Sequence, residues 1–422
     1  MLPHGDRTCR HHVFGGRAVN AGVPSVLTLN AGSSSIRFAV YRAGGVPRRL
    51  LGGKIDRIGL PGTNLTVDPS PGRAPAPPRA AARSHRAAVE FLLDWLGEDP
   101  LFGSIAAVGH RVVHGMKHSR PEWVTPGLLA DLRRITPYDP DHLPIEIDLI
   151  EAVRARHPKM PQVACFDTAF HRTLPAVARL LSIPWRYGRQ GVERYGFHGL
   201  SYEYLMGELT RVGDPAASSG RVILAHLGNG ASLAAVARGR SVDTSMGFTP
   251  AAGLVMGTRS GDLDPGLLAF LARRERMTPA RFERMVNHES GLLGISGSSS
   301  DMRDLVLREA ADPRAAAAVE LFCYQAMKWI GAYAAVLGGV DTLVFAGGIG
   351  ENSPVVRARI CSGLGHLGIR LGARLNTRNA AVISTASGGT TVRVIRTDEE
   401  IVIARSVCRM LRPGANARPK RG

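Results

Sequence analysis

An apolar, β-branched run that ends in small polar residues and glycine occurs three times in this 422-residue chain. The three copies are SVLTLNAGSSSIRFAVY (25–41), RVILAHLGNGASLAAV (221–236) and DTLVFAGGIGENSP (341–354). Each reads as a buried strand feeding a tight turn whose backbone N–H groups can point at one spot. The first two are followed by a second alternating segment, IRFAVY and SLAAVARG, so each predicts a hairpin. That argues against a dinucleotide-binding or Walker-type unit, whose glycine turn opens a helix, and no GxxxxGK[ST] is present. Helical patterns separate the runs: RAAVEFLLDWL (86–96), LPIEIDLIEAVRARH (143–157), YEYLMGELTRV (202–212), GLLAFLARRERM (266–277) and PRAAAAVELFCYQAMKWIGAYAAVL (313–337). The last is apolar nearly all round and is expected to be buried against a sheet. Together they predict two α/β halves, each opened by a hairpin turn, with a cleft between them.

The composition bounds the function. With 44% apolar and 21% charged residues the chain is an ordinary globular protein long enough for two or three domains. No apolar run reaches the length of a bilayer span, so no membrane association is expected. The first 22 residues carry Arg7, Arg10, His11, His12 and Arg17 without an apolar core after them, which reads as a disordered extension rather than a secretory signal. Cys9, Cys165, Cys323, Cys361 and Cys408 are odd in number and scattered, the pattern of a reducing, cytoplasmic compartment. The formal charge of +18 is spread along the chain apart from the tail RPGANARPKRG (412–422), and aromatic residues are only 6%. Anionic substrates account for that charge better than specific nucleic-acid binding does.

The stretch MGTRSGDLDPG (256–266) places Arg259 between Gly257 and Gly261 and follows it with Asp262, Asp264 and Pro265. Glycines on both sides let the backbone bend and approach a ligand, and Pro265 stops any regular element. A guanidinium is a planar fork that matches phosphate and carboxylate oxygens, so the loop reads as an anion clamp. The alternative is an arginine paired with Asp262 or Asp264 to pin the loop.

These segments belong to a longer series: NAGSSSIR (30–37), GHRVVHG (109–115), CFDTAFH (165–171), RYGFHGLSY (194–202), HLGNGAS (226–232), TSMGFTPAAGLVMGTRSGDLDPG (244–266), SSDMRDL (299–305), AGGIGEN (346–352) and TDEE (397–400). In this order the chain resembles the acetokinase family of short-chain carboxylate kinases over about residues 25–405. The resemblance implies an α/β, duplicated ribonuclease H-like fold of the actin-like and sugar-kinase-like ATPases, two domains around a central cleft. It implies a first domain over 23–168 plus 398–411 on the carboxylate side, carrying a Pro/Ala-rich loop over 60–85, and a second over 169–397 that takes the nucleotide and dimerises. The activity implied is reversible transfer of the ATP γ-phosphoryl to acetate, giving acetyl phosphate and ADP. Alternatives are another short carboxylate (propionate, butyrate or a hydroxy acid) or a nucleotide-binding relative that has lost catalysis.

By the same resemblance Asp167, His198 and Arg259 are catalytic, and Arg111, Val113, Tyr138, Phe197 and Pro250 bind the substrate. Asn30 and Glu399 hold Mg²⁺, or Mn²⁺. The nucleotide is held by Arg37, by His226, Leu227, Gly228, Asn229 and Gly230, by Asp301, Met302 and Arg303, and by Gly348, Ile349, Gly350, Glu351 and Asn352. Asp167 is expected to hold the metal or its water and to orient an arginine, because a carboxylic acid with a pKa of about 4 to 5 is already ionised at neutral pH and offers no proton to remove.

Three positions depart from the family pattern. Arg37 replaces a lysine, keeping charge but changing geometry. Tyr138 and Asp139 in TPYDPDHLP (136–144) replace a leucine and a histidine at the acyl pocket, where a phenol fills volume and brings a hydroxyl that needs a partner. Lys117 in HGMK (114–117) stands where a glutamate is usual, so Lys117 and Asp139 are expected to face each other with exchanged polarity.

Overall fold

A computed structural model describes residues 23–32, 35–59, 62–68 and 82–412. The extension over 1–22, most of the Pro/Ala-rich loop, the basic tail beyond residue 412 and Cys9 lie outside the described residues.

The first sheet contains β1 (Ser25–Gly32), β2 (Ser35–Arg42), β3 (Arg48–Asp56), β4 (Asn64–Val67), β5 (Ile105–Val112), β6 (Glu122–Trp123) and β7 (Gln162–Phe166). Its order is β4-β3-β2-β1-β5-β7-β6. The second contains β8 (Arg221–Leu227), β9 (Ala231–Ala237), β10 (Arg240–Thr244), β11 (Thr342–Ala346) and β12 (Thr391–Val394), in the order β10-β9-β8-β11-β12. In both sheets a hairpin strand pair runs antiparallel and continues into parallel neighbours: β1 pairs with β2 and β5, and β8 pairs with β9 and β11. The second sheet therefore repeats the β3-β2-β1-β5-β7 arrangement of the first, which is the duplication expected from the two hairpin turns. The parallel strands β7 and β11 are buried along their whole length, which is why QVACF and TLVFA show no alternation.

Helices fill the layers between and outside the sheets. Helix His85–Gly97 is capped by Ser84, whose hydroxyl accepts from Ala87 N at 3.2 Å, and it buries Ala88, Val89, Leu92, Leu93 and Leu96. With helix Leu143–Arg156 it covers one face of the first sheet. Helix Glu399–Leu411 covers the other face through Val402, Ile403 and Val407, and lies so close to β5 that a Cβ on Gly109 would stand 2.5 Å from Ile403. Helix Gly199–Arg211 packs on it and presents Tyr202, Leu205 and Leu209 to the second sheet. Two helices thus join the sheets, and the ends of β1, β5, β8 and β11 open onto one cleft.

Helix Pro313–Leu337 has the bounds read from the sequence, but it is not buried all round. Val319, Phe322, Ala326, Ile330 and Tyr333 face the second sheet, whereas Tyr324 and Val336 are exposed. Its alanine-rich composition erases the polar stripe that normally marks an outer face, so periodicity alone could not separate the two sides. The third glycine segment also differs from a simple turn: after Gly347, at φ 74°, it winds into the short helix Gly347–Asn352.

That short helix rests on Arg357, a side chain 0% exposed. Arg357 Nη1 donates to the carbonyls of Gly350 and Glu351 at 2.8 and 3.0 Å, Nη2 to the Asn376 carbonyl at 2.8 Å, and Nε to Asn376 Oδ1 at 2.8 Å. Burial lowers its pKa to about 10, yet it remains a cation that satisfies several otherwise unpaired acceptors. R357L should cost at least about 3 kcal/mol in urea unfolding, since each buried acceptor left unmatched costs about 1–3 kcal/mol.

Candidate active site

The cleft has a volume of about 1450 Å³, and the motifs line it from both sheets. Asn30 and Arg37 come from the first hairpin, Arg111 from the end of β5, His226 to Gly230 from the second hairpin, and Gly348 and Asn352 from the third segment. Asp301, Met302 and Arg303 form part of the rim. Here Asp301 caps the helix Met302–Arg308, accepting from Arg303 N at 2.8 Å, and pairs with the Arg303 guanidinium at 2.9 Å.

At its centre Arg111 and Asp167 form a buried pair. Arg111 Nη2 donates to Asp167 Oδ2 at 2.6 Å, Nε donates to the same oxygen at 3.0 Å, and Nη1 donates to the Ala31 carbonyl at 3.1 Å. Burial alone would disfavour charge on Arg111, but Asp167 and then Glu399 outweigh it and hold the guanidinium above its usual range. Asp167 sits beside the start of helix Gly199–Arg211, where the Leu200 backbone N–H acts to lower its pKa. Gly199 is obligatory there, because a Cβ would fall 1.8 Å from the Asp167 carbonyl oxygen.

The Asp167 carboxyl is pulled in opposite directions. Burial raises its pKa, Arg111 opposes this, and Glu399 adds to the rise. Glu399 shifts the opposite way: burial pushes it up, but Arg111, His226 and the amide of Asn30 prevail and lower it. The two carboxylates around Arg111 thus shift in opposite directions, Asp167 up and Glu399 down.

His198 occupies the left-handed region at φ 58°, unusual for a residue with a side chain, and immediately precedes helix Gly199–Arg211 as its N-cap. Its Nδ1 lies 2.8 Å from Ser232 Oγ, which also bonds the Tyr202 hydroxyl. Its ring stacks on His226 at 4.3 Å, and His226 Nδ1 is 2.8 Å from Ser201 Oγ. Burial first, then His226, Arg111 and Arg259, push the His198 pKa well down, so the imidazole is neutral. Ser201 and Ser232, which orient the two rings, were not singled out from the sequence, although both lie inside the motifs FHGLS and HLGNGAS.

The Arg259 loop docks on the second hairpin turn. Gly257 N donates to the Asn229 carbonyl at 2.8 Å, and Leu292 N to the Met256 carbonyl at 2.8 Å. A Cβ placed on Gly230 would meet His198 Nε2 at 3.3 Å and Arg259 Nη1 at 3.6 Å, so the two side chains converge across this glycine. Neither aspartate of the loop pairs with Arg259: Asp262 Oδ1 accepts from Gly253 N at 2.8 Å and Asp264 Oδ1 from Gly266 N at 2.6 Å. They brace the backbone and leave the guanidinium, which donates to the Pro250 carbonyl at 3.3 Å, turned toward the site.

Several of the nucleotide and substrate residues are placed differently from one another. Leu227 is buried in the core, and Gly350 faces Arg357. Glu351 Oε1 accepts from Gly347 N and Thr397 N, both at 3.1 Å, tying two segments of the cleft together. Val113, Phe197 and His114 are buried, and the His114 ring packs on Tyr138, Tyr195 and Phe197 at 5.9, 4.5 and 5.6 Å. Tyr138 lines a second cavity of about 730 Å³, and its hydroxyl donates to the Gln190 carbonyl at 3.1 Å. The phenol therefore already has its partner. Lys117 and Asp139 take separate partners, contrary to expectation: Lys117 Nζ meets Asp131 at 3.1 Å, and Asp139 Oδ1 meets His142 Nδ1 at 2.8 Å. Asp139 acts instead on His114 and Arg259.

Among the described residues no three His, Cys, Asp or Glu side chains converge on a metal by themselves. Asn30 and Glu399 nevertheless line the cleft. Asn30 Nδ2 donates to Glu399 Oε2 at 2.8 Å, leaving Asn30 Oδ1 as its donor to a cation, and Asp167 Oδ1, buried behind Arg111, has no partner among the described residues. So sparse a hard-oxygen set suits Mg²⁺, which keeps waters and shares phosphate oxygens.

Two mixed sheets around a cleft that gathers glycine turns, two arginines and a neutral histidine define a phosphotransferase of the actin-like ATPase fold. The chain belongs to the Acetokinase family, whose pattern matches residues 25–405. It is 43% identical over 391 residues to an acetate kinase of Rhodopseudomonas palustris, covering 91% of this chain and 98% of that one. It is also 43% identical over 394 residues to a propionate kinase of Citrobacter rodentium, covering 91% and 96%. The crystal structure of Porphyromonas gingivalis acetate kinase superposes with a TM-score of 0.82 at 37% identity, covering 92% of this chain and 100% of that one. That of a propionate kinase from Francisella tularensis does so with a TM-score of 0.83 at 34% identity, covering 91% and 98%. The chain is thus a short-chain carboxylate kinase that uses ATP.

Glu146 is a buried carboxyl just behind the site. Both its oxygens accept from Val113 N, at 3.1 and 3.0 Å, and burial raises its pKa from 4.5 to about 8. Folding therefore takes up a proton at this group between those values, so its stabilising contribution is complete below pH 4.5 and is lost as pH rises through about 8. E146Q cannot titrate, and its melting temperature relative to the parent protein should rise from pH 5 to pH 8.5 in paired thermal melts.

Proposed function

We propose that this chain transfers the γ-phosphoryl of ATP to acetate, reversibly, giving acetyl phosphate and ADP. The observation that carries the reading is the convergence of His198 and Arg259 across Gly230, with Arg111, anchored to Asp167, acting electrostatically on the same imidazole. In the forward direction a carboxylate oxygen of acetate forms the new bond to phosphorus, and the bond from the γ-phosphorus to the β–γ bridging oxygen breaks. The electron pair leaves with ADP, and no proton need be removed from the nucleophile.

Arg111 offsets the repulsion between two anions and binds the carboxylate, while Val113, Phe197, Pro250 and the Tyr138 ring enclose the methyl group. A loose, metaphosphate-like transition state is stabilised by donors already in place. Arg259 supplies two N–H groups and His198 one. In this reading Ser232 accepts from the Tyr202 hydroxyl and donates to His198 Nδ1, which puts the His198 proton on Nε2, the atom that faces Gly230. Asn30, Glu399 and Asp167 would hold Mg²⁺, or Mn²⁺, which when bound neutralises phosphate charge. Arg37 and the three glycine segments cradle the nucleotide.

We assign the carboxylate side to residues 23–168 with 398–411, and the nucleotide side to residues 169–397. The chain is proposed to work in the cytoplasm as a homodimer, supported by the apolar residues it leaves exposed: Val177, Trp185, Tyr324 and Val336. None of its helices, among the described residues, is long and apolar enough to cross a membrane.

Hydroxamate trapping with ATP, Mg²⁺ and acetate, propionate or butyrate tests the reading. ATP-dependent hydroxamate should form with acetate; a folded protein that forms none with any of the three acids would overturn it. H198A and R259A should each lower kcat by about 10²–10³ in the same assay, the usual loss for one preorganised donor.

A further inference from the structure

Two buried polar atoms, on residues next in the chain to Gly115 and Tyr138 of the second cavity, have no hydrogen-bond partner among the described residues. His114 is 0% exposed and Asp139 is 3% exposed, yet His114 Nε2 and Asp139 Oδ2 bond to nothing among the described residues. Their other polar atoms are engaged. Met116 N donates to His114 Nδ1 at 3.2 Å, and Asp139 Oδ1 meets His142 Nδ1 at 2.8 Å. Leaving a buried donor and a buried carboxylate oxygen unmatched costs free energy at both, more at the charged one, so a ligand that satisfies them gains correspondingly.

The chemistry of the missing partner follows from these roles. Because His114 Nδ1 accepts from Met116, the proton of the neutral ring is on Nε2, and burial keeps the ring neutral by lowering its pKa to about 4. His114 therefore offers a hydrogen, whereas Asp139 Oδ2 requires one. A methyl group can answer neither atom, and an ammonium can answer only Asp139. A hydroxyl donates to the carboxylate while accepting from the imidazole.

The position agrees with this. The His114 ring touches Tyr138, Tyr195 and Phe197, and Asp139 follows Tyr138 in the chain and acts electrostatically on both His114 and Arg259. Tyr138 cannot be the hydroxyl that completes the set, since its own O–H donates to the Gln190 carbonyl.

We propose that His114 and Asp139 form a subsite for a hydroxyl on the acyl chain, so that the chain prefers short hydroxylated carboxylates to alkyl carboxylates of the same size. This presupposes a carboxylate kinase, as proposed above. The arginines that bind the carboxylate and the phosphoryl group are common to all substrates; the His114 and Asp139 pair selects among them.

The test compares near-isosteric acids, glycolate against propionate and 3-hydroxypropionate against butyrate, with the full chain, ATP and Mg²⁺, following ADP release, with acetate as reference. In at least one pair kcat/KM should favour the hydroxy acid by about tenfold or more, as expected for a site built to bond a hydroxyl. D139A, and H114F, which keeps an aromatic ring, should each lower that ratio about tenfold or more, and melting curves identify which variants are folded. Turnover of acetate with both ratios at or below one would overturn the subsite and leave the kinase reading standing. An unchanged ratio in both folded variants would also overturn it, and no turnover of any of the acids would remove both.

Discussion

The buried pair of Arg111 and Asp167 is the contact on which the rest of the site depends. It joins the end of β5 to the start of helix Gly199–Arg211, and so ties the first sheet to a helix that packs on the second. Removing two charges from water is costly unless geometry and extra hydrogen bonds compensate, and here they do: two N–H groups meet one carboxylate oxygen, Ala31 accepts a third, and Leu200 N–H supports the carboxylate. Arg111 is thereby fixed as a cation with little freedom to swing, as a carboxylate-binding residue needs to be. The remaining Asp167 oxygen is buried without a hydrogen-bond partner among the described residues, while Arg111 itself lines the cleft.

Electrostatic balance extends outward from that pair. Glu399 and Asp139 supply negative charge around Arg111 and Arg259, while His198 and His226 are kept neutral by burial. A neutral His198 can donate one hydrogen bond without adding another charge beside the two arginines. The serines that orient the rings, Ser232 and Ser201, are small enough to pack beneath them. Each arginine is also held through its backbone: Arg111 by the parallel register of β5 with β7, and Arg259 by a loop braced by Asp262 and docked on Asn229.

Much of the fold was legible because hydrophobic periodicity and turn chemistry are local. The hairpins after β1 and β8, the helices His85–Gly97, Leu143–Arg156 and Pro313–Leu337, and the duplicated α/β plan all follow from runs whose spacing is visible in the chain. Where local signals failed, the cause was also physical. The alanine-rich helix Pro313–Leu337 carries no polar stripe to mark its outer face, so its exposed side was invisible. Lys117 and Asp139 have opposite signs and looked like partners, but each found a nearer charge, in Asp131 and His142. The upward pull of burial on Asp167 was equally invisible, because burial is a property of the assembled fold that no single residue announces.

The sequence by itself determined the set of groups: three strand-to-glycine segments, the arginines at 111 and 259, His198, and acidic residues at 139, 167 and 399. Their order along the chain was enough to identify the family. Only the tertiary structure decided which of them meet and in what state. Asn30 and Glu399 touch across 369 residues and Arg111 and Asp167 across 56, so their distances depend on how two sheets and two helices pack. The same packing removes water from His114 and Asp139, and desolvation is what turns an ordinary imidazole and carboxylate into atoms that require a partner.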